Sequence, residues 1–314
     1  MPPNPWITLA IVTLTFAGIA VGRYPIIQSN RTTIALIGVA LSIAAGQVHF
    51  TDLPDYLDFD TLMLLFSMMI INANLKLAGF FTLAGNALVR LARTPRIFLA
   101  LEVLIVGVLS ALFLNDTICL MFAPFLIQLT DSLKRNPLPY LVALATAANV
   151  GSAATLTGNP QNMIIGVASG IPYLEFLLAL APVALLSLGV IWLVLVKMYP
   201  TELRSGERFS PQPAAETAVV RPLLIKTLIV TGALLIAFLA GAPIALTAFL
   251  AASVLLVTRR HQPQAVFAEF DWSLLVFFAG LFVVSGSLET SGVTRTLVDL
   301  ERISQQATVP ALTL

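Results

Sequence analysis

The sequence predicts an all-α polytopic membrane protein with an inverted repeat, a re-entrant hairpin and a broken helix. Three observations lead to this fold class. Hydrophobic residues make up 58% of the 314 residues and charged residues only 11%, whereas soluble domains carry about 25% charged residues. Polar segments rich in Asn, Gly and Thr interrupt two apolar stretches between residues 97 and 169. A Phe-Asp segment that opens an apolar helix occurs twice.

Apolar stretches define the predicted spans, because a bilayer core needs about 17–25 residues of helix. The predicted spans are 6–22, 33–50, 61–79, 97–114, 118–130, 138–169, 173–198, 223–240, 244–258 and 272–289. No Lys or Arg precedes the first span, which argues against a secretory signal. The single cysteine, Cys119, excludes an intramolecular disulfide.

The Lys and Arg residues predict the orientation, since cytoplasmic loops carry an excess of them. An outside N-terminus places 15 of the 17 basic residues on the inside. The loop 52–60 then lies outside, and it carries four aspartates and no basic residue. We therefore expect a multi-pass protein of the bacterial inner membrane with its N-terminus outside.

An internal repeat relates residues 59–66 to residues 270–277. Each copy is followed by a glycine before an apolar residue, Gly79 and Gly292. By the charge distribution Asp60 lies outside and Asp271 inside, so the two copies enter the membrane from opposite faces. Inverted repeats are typical of secondary transporters. The alternative is a chance match between two Phe-rich helices.

The repeat predicts three regions. A first half, residues 1–198, contains the hairpin 97–130 and the broken helix 138–169. A cytoplasmic linker follows at 199–222, and residues 223–314 begin the second repeat. The segment 308–310 corresponds to the start of the first hairpin, and Leu314 comes before any second polar tip. We therefore expect the second repeat to be incomplete, and these 314 residues alone not to transport.

The hairpin 97–130 has a polar tip at Asn115, Asp116 and Thr117. Both of its ends are basic, which fits either two full spans with an external turn or a re-entrant hairpin. The second arm, 118–130, would measure about 20 Å against a core of roughly 30 Å. Together with Pro124, this short arm favours the re-entrant hairpin. The tip residues either only cap the second arm or form a site in which Asp116 binds Na⁺ or exchanges a proton.

The second polar segment breaks the apolar stretch 138–169. One continuous helix of this length would measure about 48 Å, well beyond the bilayer core. A break at 151–162 leaves arms of 13 and seven residues. Unwound backbone survives in a membrane only where protein buries it or it lines a watery cavity. The alternative is an ordinary kink that neighbouring helices satisfy.

The two polar segments together predict one binding site, since neutral oxygens suit Na⁺ and free N–H groups suit an oxyanion. The predicted residues are Asn115, Asp116, Thr117, Asn149, Gly151, Ser152, Thr155, Thr157, Gly158, Asn159, Pro160 and Asn162. Na⁺ is expected at Asn115, Asp116, Gly151 and Ser152.

Three further polar residues receive lesser roles. Glu102 is expected to pair with Arg96 or to reach toward the surface, with a role in transport as the alternative. Asn72 and Asn74 are expected at the membrane interface. The sequence has no Ser/His, paired-Asp or His-cluster constellation at membrane depth, so we do not predict an enzyme. Its net charge of +1 implies no nucleic-acid partner.

Residues 114–117, Leu-Asn-Asp-Thr, and the segment 148–162 resemble the motifs of the ion transporter superfamily. This group includes citrate-type carriers, divalent-anion/sodium symporters, arsenite permeases and sodium/proton antiporters. The resemblance implies a homodimer whose transport domain moves against a scaffold, with ion sites between hairpin tip and unwound helix. The charge at Asp116 is closer to the arsenite-permease and antiporter branch, and the segment 158–162 lacks one of the two prolines usual in the symporters.

The predicted function is secondary active transport of a small inorganic or organic anion across the lipid bilayer, coupled to Na⁺ or H⁺. No other cofactor is expected. The alternatives are a Na⁺/H⁺ antiporter in which Asp116 is the exchanging group, and an arsenite-type efflux permease. An anion carrier should tolerate Asn at position 116 better than an antiporter.

Overall fold

The computed structural model describes residues 4–22, 30–203, 219–257 and 263–293, and within these ranges all regular structure is helical. The helices are α1 (Pro5–Val21), α2 (Arg31–Ala44), α3 (Leu53–Tyr56), α4 (Phe59–Leu77), α5 (Phe80–Leu91), α6 (Pro95–Leu112), α7 (Asn115–Ser132), α8 (Leu138–Ser152), α9 (Pro160–Ser169), α10 (Tyr173–Met198), α11 (Arg221–Leu239), α12 (Ile244–Leu256), α13 (Pro263–Phe267) and α14 (Trp272–Thr290). A 3₁₀ turn at Phe50–Asp52 precedes α3.

Five helices of the described residues are long and apolar enough to cross a membrane: α4, α6, α10, α11 and α14. Five shorter apolar helices of 10–17 residues accompany them: α1, α2, α5, α8 and α12. Several helices begin where a polar side chain and a proline satisfy the first turn. Thr94 caps α6 ahead of Pro95, for example, and Asn159 caps α9 ahead of Pro160.

The span prediction has one wrong boundary and one missing helix between residues 31 and 91. The span predicted at 33–50 ends as a helix at Ala44, because Gly46 takes a left-handed conformation with φ 68°. The second difference is α5, a helix that the span prediction omitted. Its buried residues fall on one face, as expected of an amphipathic helix at a membrane surface: Phe81, Gly85, Leu88 and Val89.

The hairpin and the broken helix also have different bounds from those predicted. The second arm, α7, has 18 residues rather than 13, because Asn115, Asp116 and Thr117 form its first turn and the helix continues through Pro124. Arm length therefore no longer favours a re-entrant hairpin. The break spans only residues 153–159, because Gly151 and Ser152 stay helical in α8 and Pro160 begins α9. Its arms have 15 and 10 residues, about 22 Å and 15 Å.

The chain forms two compact units, of which the first comprises residues 1–62 and 271–314. Its helices α1, α2 and α14 pack against one another at small residues. A Cβ on Gly38 of α2 would lie 2.5 Å from Thr15 Oγ1 of α1, and one on Gly280 of α14 would lie 3.2 Å from Ala35 Cβ. Small residues at such crossings let helix backbones approach closely in a membrane.

The second unit, residues 63–270, is organised around α6, α8 and α10. Helices α6 and α8 run in the same direction. Near their starts Phe98 and Tyr140 stack edge to face with centroids 5.4 Å apart, and further along Gly107 meets Gly151. Helix α10 covers this pair, since Leu188 packs on Gly107.

The sequence repeat corresponds to a repeat of local structure. Helices α4 and α14 both have 19 residues; α4 begins with its Phe-Asp segment, and α14 begins directly after its own, with Asp271 as the N-cap. Each is followed within two residues by a glycine with a left-handed backbone, Gly79 with φ 81° and Gly292 with φ 75°. The predicted division of the chain at the linker 199–222 separates two sequence repeats, which the two compact units do not test, so it stays a prediction. Residues 204–218, like 308–310, lie outside the described residues.

Candidate functional site

The tip of the α6–α7 hairpin contacts the break between α8 and α9. The backbone N–H of Asn115 donates to the carbonyl of Gly158 at 3.1 Å. The side-chain amide of the same Asn115 donates to Asn149 Oδ1 at 3.2 Å. Thr155 Oγ1 donates to the carbonyl of Ala111, just before the tip. The two polar segments, 34 residues apart between Asn115 and Asn149, are therefore in direct contact, and a binding site formed by them stays a prediction.

Side chains of the break hold its unwound backbone in place. The Asn162 amide donates to the carbonyl of Ser152 at 3.2 Å and to that of Thr155 at 2.8 Å. Asn159 accepts from the backbone N–H of Asn162 at 2.8 Å and donates to Ser152 Oγ at 3.1 Å. These polar side chains satisfy backbone groups that water cannot reach. The contacts of Asn159 and Asn162 are therefore structural in this conformation.

Two predicted site glycines act through close packing. A Cβ on Gly151 would lie 2.1 Å from the carbonyl oxygen of Gly107, and one on Gly158 would lie 2.3 Å from that of Ser152. Both contacts are with backbone, which cannot move aside as a flexible side chain can. Gly151 lets α8 approach α6, and Gly158 lets the break fold back on the end of α8.

A cavity of about 250 Å³ adjoins the break and is bounded by α6, α8, α10 and α11. Thr155 and Tyr173 are its polar residues, and its other walls are apolar. Thr157, also in the break, is buried. Burying an anion without donors costs several kcal/mol or more. This cavity suits hydrocarbon, although two residues of the predicted site, Gly151 and Thr155, line it.

The structure separates Asp116 from the buried part of the tip. Asn115 is 8% exposed, whereas Asp116 is exposed and Thr117 is half-buried. Oδ1 of Asn115 is buried and accepts no hydrogen bond from the described residues. Among the four residues expected to bind Na⁺, Asn115 therefore offers a buried side-chain oxygen that accepts no hydrogen bond from the described residues. No group of three or more His, Cys, Asp or Glu residues that could hold a metal occurs in the described chain.

Sequence reasoning placed Asn72 at the membrane interface, and this was wrong. Asn72 is 3% exposed, and its amide points to Thr117 Oγ1 at 3.4 Å, so α4 brings a third polar group to the tip. Its Oδ1 is also buried without a partner among the described residues. Asn74 is 1% exposed and donates to Ile70 of its own helix. A polar amide inside the apolar run of α4 was the available signal.

The expected pairing of Glu102 with Arg96 was also wrong. Arg96 donates instead to the carbonyl of Leu203 at 2.7 Å. Glu102 is fully buried, so it does not reach the surface either.

Comparison with known proteins identifies the family. A family profile described as citrate transporter matches residues 10–314. The chain belongs to the citrate transporter family.

Relatives of this citrate transporter family member are also transporters. The rice silicon efflux transporter LSI3 is 28% identical over 327 residues, covering 86% of this chain and 67% of the rice protein. The uncharacterised transporter Rv2685 of Mycobacterium tuberculosis is 33% identical over 309 residues, covering 92% of this chain and 70% of the mycobacterial protein.

The fold of the family member agrees with that of a solved transporter. The Alcanivorax borkumensis YdaH transporter matches 99% of this chain and 75% of its own, with a TM-score of 0.50 and 16% identity. The predicted fold class is confirmed: the protein is an all-α polytopic membrane protein whose fold matches that of a solved transporter, with a helical hairpin and a broken helix. It is an integral membrane protein of a transporter family.

Proposed function

We propose that this citrate transporter family member moves a small anion across the membrane by secondary active transport, coupled to Na⁺ or H⁺. The observation that supports the proposal most directly is the docking of the hairpin tip on the break. Through its backbone and side chain, Asn115 joins α7 to Gly158 and to Asn149. A site made of two interrupted segments can change shape when either segment moves.

The start of α7 supplies the attraction for an anion. No side chain caps the first turn of this helix, which begins at Asn115. The N–H of Asn115 in this turn already donates to Gly158, but the start of the helix as a whole carries partial positive charge that attracts an anion. A carboxylate or oxyanion bound there would gain charge-assisted hydrogen bonds.

The buried amide oxygens of Asn115 and Asn72 supply the attraction for a cation. Neither oxygen accepts a hydrogen bond from the described residues. A buried polar atom without a partner costs about 1–3 kcal/mol, so a ligand that satisfies it is stabilised. A coupling Na⁺ next to the anion would serve both oxygens and offset the charge of the substrate. In the antiporter alternative, Asp116 would accept Na⁺ or H⁺ at the same tip.

The relation to the rice silicon efflux transporter supports a second candidate, efflux of an uncharged metalloid acid. Amides and hydroxyls can donate to and accept from such a hydroxyl-rich solute without neutralising a charge. The site described here has both kinds of group, at Asn115, Asn149 and Thr117.

The two candidates are separated by transport measurements on the purified full-length protein in proteoliposomes. Labelled citrate, sulfate, arsenite and silicic acid would be offered in turn, with Na⁺ and pH gradients imposed separately. Uptake of an anion that depends on either gradient supports the proposal and names the coupling ion. Movement of arsenite or silicic acid alone supports the second candidate. Proton release on addition of Na⁺, with no solute movement, contradicts both and indicates an antiporter.

A further inference from the structure

Glu102 is the only Asp, Glu, Lys or Arg side chain that is buried among the described residues. It lies two turns into α6, about 10 Å along the axis from Pro95. Neither carboxyl oxygen has a hydrogen-bond partner in the part of the chain that the structure describes. Its neighbours on the same helix, Leu99, Val103 and Val106, are buried and apolar.

An ionised carboxylate at such a place is strongly disfavoured. Removing the charge from water costs several kcal/mol even after the protein relaxes, and no positive partner repays that cost. The neutral acid loses far less on burial. The conformation described here is therefore compatible with a Glu102 that carries a proton.

The titratable groups on the helices packed against α6 make no hydrogen bond to the Glu102 carboxyl. Helices α5, α7, α8 and α10 contact α6. Their titratable residues are Arg90 on α5, Asp116, Cys119 and Asp131 on α7, Tyr140 on α8, and Tyr173, Glu175 and Lys197 on α10. None of them hydrogen-bonds to Glu102. Tyr140 stacks on Phe98, which lies one helical turn before Glu102 on the same face of α6.

Tyr140 lies near the first residues of α6 and α8, between Glu102 and the loops that precede these two helices. Its hydroxyl donates to Glu202 Oε1 at 3.4 Å, and Glu202 pairs with Arg135 at 3.1 Å. Glu202 is partly exposed, with 16% of its side chain accessible. Polar groups thus lead from solvent to the neighbourhood of Glu102.

We propose that Glu102 is a proton-binding residue of the transport cycle. This inference rests on the proposed transport function. In the conformation described here the carboxyl O–H bond is intact. In a second conformation of the cycle water reaches the carboxyl, that bond breaks and the proton passes to water. A proton from water must bind the carboxylate again before the side chain returns to the burial described here. Substrate movement is thereby coupled to H⁺, because the buried arrangement requires the neutral acid.

The first test observes the proton directly and needs no substrate. Infrared spectra of the purified protein in lipid nanodiscs would be compared at neutral pH. A protonated carboxylic acid gives a C=O stretching band that a carboxylate lacks. We expect this band in the wild type, its loss in Glu102→Gln, and its retention in Glu175→Gln, which removes an exposed acid at the start of α10. A wild-type spectrum without the band, or a band unchanged by Glu102→Gln, overturns the inference.

The second test measures coupling in proteoliposomes with labelled citrate. One pH unit supplies about tenfold accumulation per coupled proton. The wild type should show this accumulation, and Glu102→Gln should lose it while still exchanging internal for external citrate. Proton-driven accumulation that survives in Glu102→Gln overturns the inference. A wild type that has the infrared band but moves no substrate leaves the proton site in place and contradicts the proposed transport function instead.

Discussion

The side-chain amide of Asn115 donates to the side-chain carbonyl of Asn149 across 3.2 Å. This hydrogen bond joins the tip of a hairpin to the last turn before a break in another helix. The side-chain NH₂ group of Asn149 also has a partner, since Nδ2 donates to the carbonyl of Ala145 at 2.9 Å. Asn149 is therefore oriented by its own helix, whereas Asn115 keeps a buried oxygen that can bind a ligand.

Replacing Asn115 with Ala should impair transport more than stability. The lost hydrogen bond is worth about 0.5–1.5 kcal/mol, so the unfolding temperature should fall only slightly. Uptake should fall roughly tenfold or more if the free oxygen contributes about 1.4 kcal/mol to binding. Uptake in proteoliposomes and thermal unfolding in detergent measure the two effects. Gln128→Ala, which removes an exposed amide from the same helix, is the control. Normal uptake by Asn115→Ala would show that the residue is only structural.

Gly151→Ala should destabilise the protein. The added Cβ would lie 2.1 Å from the Gly107 carbonyl oxygen, so α6 and α8 must separate. Such overpacking costs typically 1–3 kcal/mol or more. Gly189→Ala is the matched control, since no atom lies within 4 Å of its added Cβ in α10. The control should be neutral or slightly stabilising, because Ala favours a helix by about 1 kcal/mol over Gly. Equal unfolding temperatures for the two variants would contradict the packing described here.

Asp116→Asn should distinguish an anion carrier from an antiporter. The Asp116 side chain is exposed at the tip, and Asn keeps its shape while removing the negative charge. An anion carrier should retain most of its uptake, because the substrate binds to N–H groups and amides. An antiporter that exchanges cations at this carboxylate should lose its activity. Anion uptake and Na⁺-driven proton movement would be measured on the same preparation. Asp131→Asn, an exposed acid on the same helix, should change neither.

Glu202→Ala should destabilise the protein more than Lys76→Ala does. Glu202 accepts from Arg135, Asn136 and Tyr140, and its ion pair with Arg135 has side chains only 13% and 16% exposed. Removing the side chain takes the acceptor from the buried Tyr140 hydroxyl, at about 1–3 kcal/mol, whereas Arg135 keeps the Glu202 carbonyl.

Lys76 pairs with Glu269, with 37% and 27% of the side chains exposed. Exposed pairs contribute at most about 1 kcal/mol, so Lys76→Ala should change the unfolding temperature little. Thermal unfolding at low and high salt would compare the two variants. A larger fall in unfolding temperature for Lys76→Ala than for Glu202→Ala would contradict a stabilising role for the hydrogen bonds of Glu202.

Several elements were predictable because long apolar runs have few alternatives in a membrane. The span predicted at 173–198 has the same bounds as α10, and the one at 272–289 differs from α14 by one residue. The hairpin and the broken helix were predictable because polar, glycine-rich breaks in such runs need partners. Helix α5 was missed because it is short and amphipathic, although its apolar residues 81, 85 and 88 follow a helical period.

Asn72 and Glu102 show why the rest of the site was not predictable. Their positions along α4 and α6 suggested an interface and a surface contact. Both residues are buried, because neighbouring helices pack against them. A sequence gives the distance of a residue along its own helix. It does not give the neighbouring helices that exclude water from its side chain.

The sequence by itself determined the class of protein, the helices and the two polar interruptions, because bilayer thickness and backbone hydrogen bonding act locally along the chain. The tertiary structure decided which polar groups meet and which stay exposed. It brought Asn115 to Asn149 and Gly158, left Asp116 exposed, and enclosed Glu102 without a partner among the described residues. These outcomes depend on contacts between helices far apart in sequence, such as the close approach of Gly107 and Gly151.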